Sequence, residues 1–183
     1  MQNLRYNYRI YPSDEQLSLL KQAGGSCRYI WNYFLAKEMA QYEQDNTFNF
    51  VSKNSKDLTS LKHATEWLKI PPSTALQQTI RNLDQSLRQS FKNANSRKGF
   101  PTFKKKKFNS TSFNLTMISS NNFINDNIFK IPKIGEVKIK LHRKPPSDFK
   151  SCAVKQKAGK WYVSFVVKKE CKQKQPISSA IGI

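Results

Sequence analysis

The chain has 183 residues, 38% of them hydrophobic, and 32 Lys and Arg against 12 Asp and Glu for a formal charge of +20. That length fits one or two small domains with packed cores. It holds no apolar run of about 18 residues to span a bilayer, and its positive charge repels itself unless a polyanion neutralises it.

The charge is uneven, with a balance of +4 over residues 1–95 and +16 over residues 96–183. Nucleic acid is therefore the leading partner, and the second half is the part that faces it. The opening MQNLRYNYRIYPSDEQ lacks the apolar core of a secretory signal, which makes the cytoplasm the expected location and leaves no membrane role.

In chain order, Leu4, Tyr6, Tyr8 and Ile10 alternate with Arg5, Asn7 and Arg9, which predicts a strand with a cationic second face, ended by Pro12. Ser13 and Gln16 form a capping-box pattern ahead of Leu17 and Leu20. Gly24-Gly25 is expected to break that helix. A second helix, from Ser26 to about Tyr42, is apolar over much of its circumference. A third carries Leu58, Leu61, Trp67 and Leu68 and stops before Pro71-Pro72. Ser73 opens a fourth, in which Leu76, Ile80, Leu83, Leu87 and Phe91 recur every three or four residues.

From Ser96 the composition turns basic and aromatic, and from about Ser112 the period becomes two. Val137, Ile139 and Leu141 alternate with Lys138, Lys140 and His142, and a hairpin is expected to turn at Ala158-Gly159, with Val163, Phe165 and Val167 on one face. The first strand has no local partner, so it should pair with these later strands. The helices then become an insertion into an antiparallel β-domain.

KGFPTFKKKKF, Lys98–Phe108, has no acidic residue. Lys104, Lys105, Lys106 and Lys107 cannot all face a core, and ammonium groups along an extended loop track phosphates. Phe100, Phe103 and Phe108 either pin the loop or stack on bases. Lys138, Lys140, Lys155 and Lys157 pose a parallel choice between a nucleic-acid face and the charged strand positions that discourage edge pairing.

Catalytic signals are weak. Cys27, Cys152 and Cys171 are far apart without a CxxC, and only His63 and His142 could join them, so no metal site or cofactor is expected. Asp126, Glu136, Asp148 and Glu170 are scattered through the basic half, which makes no two-metal nuclease centre.

RIYPSDEQ (Arg9–Gln16), CRYIWNYFL (Cys27–Leu35), LTSLK (Leu58–Lys62), ALQQTIRNLDQSLRQSF (Ala75–Phe91), GFPTFKKKK (Gly99–Lys107), IPKIGEVKIK (Ile131–Lys140) and GKWYVSF (Gly159–Phe165) follow one another in an order that resembles TnpB. That family comprises RNA-guided nucleases of bacterial insertion sequences, also described as transposition accessories and similar to miniature type V CRISPR nucleases. The resemblance implies an α+β fold, with a four-helix recognition bundle inserted into an antiparallel, oligonucleotide-binding-type wedge β-barrel. The first strand of the wedge would be residues 1–12, the helical insertion 13–95, a basic linker 96–109 and the rest of the wedge 110–183.

A RuvC-like nuclease with a zinc ribbon follows the wedge in that family, opened by a Gly-hydrophobic-Asp strand. Here SSAIGI runs to Ile183, so the expectation is a chain without that catalytic set and without cutting activity of its own. The resemblance further implies two partners, guide RNA from the right end of the transposable element and double-stranded target DNA, besides a separate nuclease portion.

Ser55, Ser73 and Gln77 match positions that read a short DNA motif beside the target, joined by Asn114 and Thr116 of the SFNLT stretch. A glutamine amide can pair bidentately with adenine; the plainer reading of Gln77 is an exposed helical residue. Lys104 to Lys107, Lys138 and Lys140 are the implied RNA-phosphate contacts. Tyr6, Tyr8 and Trp161 are either stacking residues or barrel core. Outside this reading stand a stand-alone regulator that occupies DNA or sequesters guide RNA, a transposition accessory that binds duplex ends without RNA, and a general rRNA- or membrane-binding basic protein.

Overall fold

Tyr8, Ile10, Val163 and Phe165 are buried on one face of their strands, and the first strand pairs with a neighbour on either side, which sets it inside a sheet rather than at its edge. The computed structural model describes residues 2–49, 51–92, 99–106 and 111–169. Its strands are β1 (Gln2–Tyr11), β2 (Ser112–Thr116), β3 (Phe123–Asn125), β4 (Ile128–Ile131), β5 (Gly135–Lys140), β6 (Ser151–Lys157) and β7 (Lys160–Lys169). They form one antiparallel sheet in the order β2-β6-β7-β1-β5-β4-β3. β1 therefore bridges β7, along nearly its whole length, and β5, through Arg9–Tyr11 alone.

The sheet curls strongly. Phe165 of β7 and Phe129 of β4 are three strand spacings apart, about 14 Å in a flat sheet, yet their ring centroids lie 5.4 Å apart. Phe123 and Phe149 close the same cluster on Phe165 at 5.6 and 4.4 Å. Among the described residues β2 and β3 remain edges, so the order is an open sheet where a closed barrel was expected.

Three α-helices lie between β1 and β2 in sequence: α1 (Asp14–Asp45), α2 (Val51–Ala64) and α3 (Ser73–Lys92), with a 3₁₀ turn at Glu66–Lys69. The Ser13–Gln16 capping box forms as expected, and Gln16 Nε2 also donates to Glu136 O at 2.8 Å, which ties the start of α1 to β5. Leu76, Ile80, Leu83 and Leu87 of α3 are buried, and α3 packs on both α1 and β2. Phe91, expected in that stripe, is half exposed and meets Phe48 and Phe100 instead.

The expected four-helix bundle is thus corrected to three helices. Gly24-Gly25 breaks nothing, because neither glycine adopts the positive φ that ends helices. Gly24 meets a different need: a Cβ there would stand 1.9 Å from Thr111 Cγ2. Its bare backbone lets α1 approach the residue that leads into β2. The expected third helix is likewise divided into α2 and the 3₁₀ turn, with Pro71 and Pro72 buried behind it.

The hairpin between β6 and β7 turns at Ala158-Gly159, with φ of 48° and 74°. Two successive left-handed residues match the twist of the strands they join.

Candidate nucleic-acid interface

On β1, β5, β6 and β7 the residues that alternate with the core point to the opposite face. Register joins them across four strands: Lys155 pairs with Tyr162, Tyr162 with Arg9, and Arg9 with Lys140. Directly opposed strand residues share a face, so one row reads Lys155, Tyr162, Arg9, Lys140. A step further along, Lys157 pairs with Lys160, and Tyr11 with Lys138. The Arg9 guanidinium lies 4.6 Å from the Tyr11 ring centroid, and its Nε, buried, has no hydrogen-bond partner. Lys138, Lys140 and Lys157 are exposed and Lys155 half-buried.

One acid, Glu136, shares this face with Lys138 and Lys140 on β5, opposite Lys130 of β4, and the cations outnumber it. The three ion pairs among the described residues, Lys37–Asp57, Lys69–Glu66 and Arg88–Asp84, all lie in the helical part. Glu38 is fully buried and is satisfied by Asn54 Nδ2 at 2.6 Å and the Asn49 N–H at 2.8 Å.

The basic segment runs beside α1. Lys104, Lys105 and Lys106 are exposed. The Lys104 ammonium lies 3.6 Å from the centroid of the Trp31 ring, and burial of that ammonium pushes its pKa down. Phe100 packs against Phe48 and Phe91, and Phe103 is about half exposed. Lys107 and Phe108 lie outside the described residues.

The residues implied for DNA reading fall into two groups. Ser55 lies early in α2, and Lys62, two turns on, donates to Ser73 Oγ at 2.8 Å. Gln77 is exposed one turn beyond Ser73 on α3. Lys62 and Ser73 thus join α2 to α3, and the Lys62 ammonium has its pKa lowered first by burial and then by Lys133.

Asn114 and Thr116 instead line a cleft of about 300 Å³ with Arg5, Gln78, Ser151 and Ser164. Gln78, not Gln77, is the glutamine that faces them, and it bonds Asn82 at 2.9 Å. Asn114 also borders a second cleft, of about 660 Å³, shared with Arg28, Asn82, Lys104 and Lys105. A polar path thus leads from the basic segment to β2.

Tyr8 and Trp161 are buried core, and Tyr6 is half-buried beneath the Arg143 guanidinium at 4.1 Å. Arg5, Arg9, Gln78 and Lys160 are the residues that pattern reading missed. Arg5 and Arg9 were visible as the second face of the first strand, but only register joins Arg9 to lysines about 130 and 145 positions away.

No helix among the described residues is long and apolar enough to cross a membrane. Residues 1–47 match a family model described as a helix-turn-helix domain, of the OrfB/IS605 type. In the structure that span is β1 followed by one unbroken helix. The chain is 29% identical over 181 residues to "Putative RNA-guided DNA endonuclease InsQ" of Escherichia coli (strain K12). It is 26% identical over 184 residues to "Putative RNA-guided DNA endonuclease" of Streptomyces pristinaespiralis. Each match takes in 97% of this chain and 44% of the relative. The chain thus spans less than half the length of the curated relatives it matches, and over nearly all of its own length it is TnpB-like.

Proposed function

We propose that this chain supplies nucleic-acid recognition in a TnpB-like, RNA-guided DNA endonuclease and performs no cutting itself. The outer face of the sheet and the basic segment hold the phosphates of a structured guide RNA. The α2–α3 seam, with Ser55, Ser73 and Gln77, and the cleft at Asn114 and Thr116 read a short motif in duplex DNA beside the target. Residues 13–95 are then the recognition insertion and the sheet is the wedge.

The observation that carries this reading is the row Lys155, Tyr162, Arg9, Lys140, three cations and an aromatic ring aligned across four strands without a carboxylate among them. Such a face attracts phosphate and offers ring surface to bases.

The test is separability. Replacing Lys138, Lys140, Lys155 and Lys157 together by alanine should flatten the plot of log affinity against log salt for RNA by about 3, at roughly 0.7 per lost single-strand phosphate contact. N114A/T116A should leave RNA binding intact and weaken duplex DNA carrying the motif. If both variants weaken both ligands in parallel, the two surfaces do not have separate roles and the reading fails.

A further inference from the structure

Residues 99–106 have no strand or helix of their own, yet they are held at several points by side chains. Asn32 Nδ2 donates to Lys104 O at 3.0 Å, and the Lys104 N–H donates to Asn32 Oδ1 at 2.8 Å. One amide thus engages both backbone groups of one residue, as a neighbouring strand would. Trp31 is buried, and its indole N–H donates to Thr102 O at 3.0 Å. The face of the same indole receives the Lys104 ammonium. At the start of the segment the Ser90 hydroxyl, which donates to Ser86 O at 2.9 Å, also lies 3.3 Å from Gly99 O.

We propose that Trp31 and Asn32 are positioning residues that dock the basic segment on α1 and divide its lysines, with Lys104 as the anchor and Lys105 and Lys106 as the phosphate contacts. This rests on the phosphate-binding reading of the segment given above. The cation on the Trp31 face is a favourable pairing that a phosphate would have to displace. All three lysines are exposed, but Lys105 and Lys106 have no such ring among the described residues. With the backbone at Thr102 and Lys104 fixed beforehand, those two side chains meet a phosphate without first ordering the chain that carries them.

Binding of a short polyuridylate to the full chain, measured over a range of salt, tests this with four variants. K105A/K106A should lower the salt slope by about 1.4. K104M should leave the slope unchanged. N32A should weaken binding about tenfold at every salt concentration with no change in slope, because it removes pre-organisation and not charge. In the K105A/K106A background N32A should cost nothing more.

A slope loss with K104M of about 0.7, half that of K105A/K106A, would overturn the anchor role. An equal cost of N32A in both backgrounds would reduce Asn32 to a general stabilising residue. If polyuridylate binds but K105A/K106A leaves the slope untouched, the phosphate reading of the segment itself fails, and the division of its lysines with it.

Discussion

Gly24→Ala and Gly25→Ala are adjacent, chemically identical changes in the middle of one helix, and the structure gives them opposite signs. An alanine is about 1 kcal/mol more favourable than glycine in a helix interior. At Gly25 the added methyl meets nothing closer than Arg28 Nη2 at 4.0 Å, so that gain should appear in full. At Gly24 the methyl would sit 1.9 Å from Thr111 Cγ2, where carbon atoms ordinarily stay about 3.5–4.0 Å apart. Thr111 is branched and short, and its carbonyl is fixed by the Gln156 N–H at 2.7 Å, so the backbone must move.

Overpacking costs about 1–3 kcal/mol, and a 1.9 Å approach to a held backbone belongs at the upper end, which leaves G24A up to about 2 kcal/mol less stable than the parent after the propensity gain of about 1 kcal/mol. For a chain of this length each kcal/mol corresponds to about 2–4 °C in Tm. Thermal and urea unfolding followed by circular dichroism should place G25A above the parent and G24A below it. Adding T111A should recover part of the G24A loss but none of any G25A effect. Equal stabilisation by both glycine replacements would refute the close approach of α1 to the start of β2.

Phe165→Ala should remove the centre of the aromatic cluster and cost about 3–5 kcal/mol, read as loss of a cooperative unfolding transition in the sheet. Glu38→Ala leaves the buried Asn54 amide and the Asn49 N–H without their acceptor. It should destabilise by about 2–4 kcal/mol, with Glu38→Gln recovering part, since it restores one acceptor. Burial pushes the thiol pKa of Cys27 up to about 11 and that of Cys152 up to about 12. The unfolded thiols, near 9.0, lose their protons first, so this stabilisation is complete below pH 9 and is lost as pH rises toward 11 and 12. A thiol reagent at pH 8 should leave both unmodified until urea unfolds the chain; labelling of either in the native protein would contradict its burial.

Strict local periods were the legible part of the fold. Leu4 to Ile10, Val137 to Ile139, the Ser13–Gln16 cap and the Ala158-Gly159 turn each depend on neighbours within a few residues, and each appears as expected. Gly24-Gly25 misled because glycine serves both chain termination and close approach, and only the tertiary partner Thr111 tells which. The open sheet was hidden for a similar reason, since alternation fixes faces but not closure.

At the interface, composition pointed to the basic segment and the lysine-bearing strands. It did not show that the Lys104 ammonium lies over Trp31, or that Gln78 rather than its neighbour Gln77 faces Asn114 and Thr116. Both depend on helix phase against a distant strand or loop, a distinction of about 100° between adjacent residues.

The most direct test of guide-RNA recognition is competition binding at about 0.2 M salt, where nonspecific phosphate contacts are weakened. RNA from the right end of the transposable element would compete against a scrambled RNA of equal length and against duplex DNA. Retention of the right-end RNA alone, or with motif-bearing duplex DNA, is the expected result. Equal loss of all the complexes would leave only a nonspecific basic surface, and selective retention of duplex DNA without RNA preference would contradict the guide-RNA role and favour an accessory or regulator that binds DNA alone.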